Sequence, residues 1–178
     1  MGRFLIRIAG VLPIFLVASC GGKSSMPRLP IPLQTFVLHD ILGGAGGRAI
    51  WVKEDKTAVL QIVTPSKDGG GLVEKRYYFE LTADEFGGME KMAGTHRLLE
   101  IKTVNRFGIP DEAHPIILAV TKQGDKVRVS KWANDSNSDF DSLYAYLFSL
   151  CTVPKGKVPE FDGEFNWNWR PNGFDSPF

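Results

Sequence analysis

Several residue groups have types and spacings that could do chemistry. Asp111-Glu112-Ala113-His114 sets two carboxyl groups beside an imidazole, the ingredients of a general acid–base pair, so a hydrolase is one reading of the chain. Pro110 and Pro115 flank the same residues, which fits a solvated turn as well. Asp135-Ser-Asn-Ser-Asp139-Phe-Asp141 places oxygen atoms at alternate positions, as a calcium loop begins. Such a loop needs glycine where Phe140 stands and a bidentate glutamate where Tyr146 falls; Ser138 and Asp139 serve equally as helix caps. His39, His96 and His114 form no i, i+4 pair and no cluster with cysteine, so no metal site is expected. Cys151, beside Leu147, Phe148 and Leu150, reads as a small buried hydrophobe, with a thiol nucleophile as the alternative. No Gly-x-Ser-x-Gly elbow or other complete nucleophile signature occurs, so no catalytic residue is assigned and no cofactor is expected.

The glycine run Gly43-Gly-Ala-Gly-Gly47 could cradle a phosphate only if a helix followed it. Arg48-Ala-Ile-Trp-Val52 has the alternation of a strand, so the run is expected to be a hairpin turn. The least ordinary segment is Phe165-Asn-Trp-Asn-Trp169-Arg170. If extended, it puts Phe165, Trp167 and Trp169 on one face and Asn166, Asn168 and Arg170 on the other. One reading is a strap whose aromatics cover an open part of a sheet, with Trp167 or Trp169 largely buried. The other is a platform in which Trp167, Trp169 and Arg170 bind the sugar rings of a cell-wall glycan such as peptidoglycan.

These residues need a frame. Hydrophobic residues are 43% and charged residues 23% of the 178, a balance that excludes wholesale disorder and a multi-span membrane protein. A formal charge of +1 gives no global basic excess, so no nucleic acid is expected. Lys122, Lys126, Arg128 and Lys131 around one hairpin read as a solvated strand face. Strands are expected at Phe36–Leu42, Arg48–Lys53, Thr57–Val63 and Leu72–Leu81, the last with Tyr77 and Phe79 on one face and Arg76, Tyr78 and Glu80 on the other. Thr82-Ala-Asp-Glu85 is a capping box opening a helix that buries Phe86, Met89, Met92 and Ala93 and stops at Gly94. Ile116–Thr121 reads as a central strand and Lys126–Trp132 as its return. Ser138 then caps a helix with Phe140, Leu143, Tyr144, Leu147 and Cys151 at helical spacing. The expected fold is α+β: an antiparallel sheet with two amphipathic helices packed on one face. It spans 35–151, after a Gly/Ser/Pro tether at 20–34 and before the aromatic strap at 152–178.

The opening segment is an address. Arg3 and Arg7 precede the apolar stretch Ile8–Ala18, shorter than the roughly 20 apolar residues of a membrane span but suited to a signal-peptide core. It ends in Val17-Ala18-Ser19-Cys20, which resembles the lipobox of bacterial lipoprotein precursors. The resemblance implies diacylglyceryl transfer to the Cys20 sulfur, cleavage after residue 19 and acylation of the new amine. It implies a protein held in the cell envelope by fatty chains (palmitate-type acylation). Gly21 stands where inner-membrane lipoproteins carry Asp, which points to the outer membrane in a Gram-negative cell. Cleavage removes Arg3 and Arg7 and no acid, turning the net charge from +1 to −1. It also leaves Cys151 with no intramolecular disulfide partner.

The layout of strand, Gly-Gly-Ala-Gly-Gly turn, strand, helix from near Leu81, hairpin and amphipathic helix resembles emfourin-type inhibitors of bacterial metallopeptidases, with an added loop at Thr64–Gly71 and a tail after Cys151. No residue is carried over from that family. The expected function is a non-catalytic binding domain presented from the membrane to a protein partner, a peptidase being one such partner. Glycan binding through the C-terminal aromatics and a hydrolase using Asp111, Glu112 and His114 are the alternatives.

Overall fold

The computed structural model describes residues 28–103 and 106–174. The lipobox and Cys20 lie outside the described residues. Seven strands form one antiparallel sheet: β1 Leu33–Leu42, β2 Gly46–Lys53, β3 Thr57–Pro65, β4 Leu72–Glu80, β5 Ile116–Thr121, β6 Lys126–Ser130 and β7 Phe161–Glu164. Their spatial order is β6-β5-β1-β2-β3-β4-β7. The first four follow one another as hairpins. The turn after β1 is the expected one, with Leu42 paired to Gly46. Gly47, at φ 148°, lies so close to Asp40 that a Cβ would strike its carbonyl oxygen.

Helices α1 (Ala83–Thr95) and α2 (Ser138–Leu150) pack on one face, so the fold is α+β as the sequence implied. Alternation sends Phe36 and Leu38, Ile50 and Val52, Ala58 and Leu60, and Ile117 and Ala119 to that face. There they meet Met89 and Ala93 of α1 and Leu143 and Leu147 of α2. Thr82 caps α1 through the capping box: its hydroxyl accepts from the Glu85 amide at 3.2 Å, and the Glu85 carboxylate accepts from the Thr82 amide at 2.7 Å. Phe86 and Met92 are only partly buried. Among the described residues no helix is long and apolar enough to cross a membrane.

Some boundaries differ from expectation. Strand β1 begins at Leu33, because Ile31 and Leu33 are already tied to α1: their amides donate to the backbone oxygen and the carboxylate of Glu90. Gly94 does not end α1. It lies inside the last turn, where a Cβ would collide with the Leu29 carbonyl as the incoming chain crosses. The cap of α2 is Asn137, whose side chain accepts from the Phe140 amide at 3.0 Å, and Ser138 is the first helical residue. Strand β5 is next to the edge, with only β6 beyond it.

Candidate functional site

The acid–base candidates fall into a structural knot. Arg106 grips Glu112 with both terminal nitrogens, at 2.6 and 3.0 Å, and donates from Nε to Asp135 at 2.8 Å. The amides of Ile109 and Asn134 also donate to Glu112, so each carboxylate oxygen accepts two bonds. Chiefly through the Arg106 bonds, the carboxyl is held down to about 2. It is a fixed anion at neutral pH, not a proton carrier. His114 stacks on Trp132 at 4.0 Å, and burial followed by the charge of Arg128 lowers its pKa. Asp111 is exposed at the turn with φ 63°. The knot pins the loop before β5 to the segment after β6.

The calcium-like oxygens are likewise spent on different partners. Asp135 binds Arg106, Asn137 caps α2, Asp139 lies 3.1 Å from His96, and Asp141 pairs with Lys131 at 2.9 Å. Among the described residues no three His, Cys, Asp or Glu side chains gather where they could hold a metal ion. Cys151 is fully buried at the end of α2, its thiol pushed up to about 12, first by burial. The Arg48 guanidinium donates to its carbonyl at 2.7 Å.

The other face of the sheet is where the C-terminal strap lies. Val37, Ala49, Trp51 and Val59 form a second core there, with Trp169 and Phe174 of the strap packed against it. Trp169 meets Trp51 edge to face at 5.5 Å. The face of β4 that carries Arg76, Tyr78 and Glu80 holds a buried polar cluster. Glu74 is 0% exposed and accepts from Gln61 of β3 and from Arg76. The Arg76 guanidinium lies between two rings, 3.7 Å from Trp169 and 4.1 Å from Phe161. Its flat, weakly hydrated cation suits both the stack and the carboxylate. The alternation Glu74, Arg76 matched an ordinary wet strand face, so the sequence hid this cluster. Its only signal was the surplus of aromatics downstream.

The three aromatics do not form a platform. Only Phe161–Glu164 is a strand, and the Trp169 amide turns back to the Asn166 carbonyl at 3.1 Å. Trp169 is half-buried against the sheet and Arg170, next to it, is half-buried too. Trp167 is 48% exposed; its indole rests on the Gly43 turn and meets Phe165 at 4.6 Å. With Ser66 and Leu72 the pair lines an open groove of about 530 Å³. A second groove, of about 630 Å³, lies between β4 and the strap, bordered by Tyr78, Glu80, Lys53 and Lys157. The strap side thus offers surface and exposed aromatic area, while Glu112 is tied up by Arg106 and His39 and Cys151 are buried. Comparison of the chain with protein-family models, curated proteins and solved structures finds no match.

Proposed function

We propose that this chain is an envelope lipoprotein, anchored through Cys20, that presents a non-catalytic binding domain to a protein partner. The lipobox resemblance and the Gly/Ser/Pro tether support the anchor, and Gly21 supports the outer membrane of a Gram-negative cell. One observation carries the binding role. Glu112, His39 and Cys151 are bonded or buried, whereas Tyr78 and Trp167 stand half-exposed in open grooves on the strap side. Exposed aromatics in a groove are the usual anchors of an interface. A peptidase is one partner class consistent with the emfourin-like layout. The test is affinity capture from envelope extracts with the Gly21–Phe178 fragment. A protein retained saturably supports the reading, and an eluate no different from empty beads counts against it.

Trp167 favours a second reading. A half-exposed indole beside the Ser66 hydroxyl, in an open groove, can stack on a sugar ring. Trp167→Ala should then abolish retention on peptidoglycan without lowering the melting temperature. Equal retention by both proteins removes the glycan reading.

A further inference from the structure

We propose that Asn172 is a self-modifying site: the backbone nitrogen of Gly173 attacks its side-chain amide, ammonia leaves, and water opens the resulting succinimide to aspartate or isoaspartate. The reaction belongs to the chain itself and is independent of what the domain binds.

A turn places the reacting pair. The Phe174 amide donates to the Pro171 carbonyl, and Gly173, at φ 84°, fills the third place of that turn, which a type II turn reserves for glycine. The backbone therefore requires glycine here, and its missing side chain leaves the nitrogen open to the Asn172 Cγ. No other asparagine of the chain precedes a glycine. Asn172 and Gly173 are both exposed, so water reaches them. Among the described residues no hydrogen bond holds the Asn172 side chain or the Gly173 N–H. Comparable groups elsewhere are tied. Asn137 accepts from the Phe140 amide, Asn166 accepts from the Asn168 amide, and in the exposed pair Asp68-Gly69 the glycine N–H donates to the Ser66 carbonyl. At 3.4 Å the bond that closes the Pro171–Phe174 turn is weak, so it does not hold Asn172 away from the nitrogen.

A neighbouring charge assists. A Cβ on Gly173 would lie 3.4 Å from the Lys53 Nζ, so an ammonium stands beside the attacking nitrogen. It favours loss of the N–H proton and stabilises the oxyanion of the tetrahedral adduct. The bond from nitrogen to Cγ forms, the Cγ–Nδ2 bond breaks, and the proton from Gly173 departs within the ammonia. Water then opens the ring. Cleavage at Cγ gives aspartate; cleavage at the backbone carbonyl gives isoaspartate, whose main chain gains a methylene. Either product sets a carboxylate beside Lys53, in the groove that also holds Lys157 and Glu80. The isoaspartyl form also breaks the turn that delivers Phe174 to the second core. The end of the strap thus carries a one-way change that accumulates as the protein ages.

The test keeps the full chain folded in detergent at mildly alkaline pH and follows every asparagine by peptide mass spectrometry, beside a sample unfolded in urea. In the folded chain Asn172 should convert at least about tenfold faster than any other asparagine, giving an aspartate–isoaspartate pair and free ammonia. The rate should rise with pH, because the attacking nitrogen must lose its proton. Gly173→Ala should slow conversion about tenfold or more, since a methyl group then crowds the nitrogen. If that variant loosens the strap, Asn172→Gln keeps the glycine of the turn and should release no ammonia over the same period. The proposal is overturned if Asn172 stays intact in the folded chain while the unfolded chain converts, or if another asparagine keeps pace with it. It is overturned equally if Gly173→Ala converts as fast as wild type, or if Asn172→Gln releases as much ammonia.

Discussion

Arg76 joins the two halves of the strap side, since it answers the Glu74 charge and carries the Trp169 and Phe161 rings. Arg76→Met should therefore cost about 3–5 kcal/mol, because it strands a carboxylate that has no exposure to water. Adding Glu74→Gln should recover most of that loss, as read by urea unfolding of the single and double variants. If the single variant is as stable as wild type, Arg76 is not the link described. His39 governs a different variable. Burial, the larger of its two causes, lowers its pKa from 6.5 to about 4. Above pH 6.5 both folded and unfolded chains hold it neutral and its contribution is complete. As pH falls from 6.5 toward 4 the unfolded chain takes up a proton that the folded chain refuses, so stability falls, by an amount on the order of 3 kcal/mol. His39→Gln should flatten the unfolding free energy over that window, while the Glu112 contribution is lost only lower, between 4.5 and about 2. A wild-type profile already flat between pH 6.5 and 4 counts against a buried neutral imidazole. Neither residue's role was readable beforehand. Arg76 stood in a polar alternation, and His39 is buried only because the strap face turns out to be a second core.

At the scale of elements, the strap is the part whose removal says most. Truncation after Val158 deletes β7, the ladder partner of β4, together with Trp169. Losing a packed aromatic alone costs about 3–5 kcal/mol. For a domain of this size that corresponds to a fall of roughly 10 °C in melting temperature. An unchanged melt means the strap merely rests on the sheet. The α2 cap gives a finer test: Asn137→Ala should cost about 1 kcal/mol and Ser138→Ala much less, because only Asn137 accepts the Phe140 amide. The hairpins, the Thr82–Glu85 capping box and the two amphipathic helices were legible because each is written in local periodicity or turn chemistry. Strand β7 was not. Phe161-Asp-Gly-Glu164 is short and polar, and it is a strand only because β4 offers it an edge. Gly94 was misread for a related reason. Its smallness serves a crossing at Leu29 that lies far from it in sequence.

For the whole molecule, a helix-covered core on one face and a strapped, grooved surface on the other make a body suited to holding a partner. The fold class was legible, but the groove on the strap side was not, because it is built from residues brought together from β2, β3, β4 and the tail. Anchoring was read from Val17-Ala18-Ser19-Cys20 alone. Cys20→Ala should abolish incorporation of a fatty-acid analogue and leave an uncleaved precursor; equal labelling of variant and wild type contradicts the lipoprotein reading. The central claim is that the strap side holds a protein. Its most direct test is quantitative capture from envelope extracts, with wild type, Tyr78→Ala and Trp167→Ala beads side by side. The account predicts one or a few proteins bound saturably by wild type and held more weakly by Tyr78→Ala and by Trp167→Ala. Retention of peptidoglycan fragments alone, lost with Trp167→Ala and unchanged by Tyr78→Ala, would contradict it.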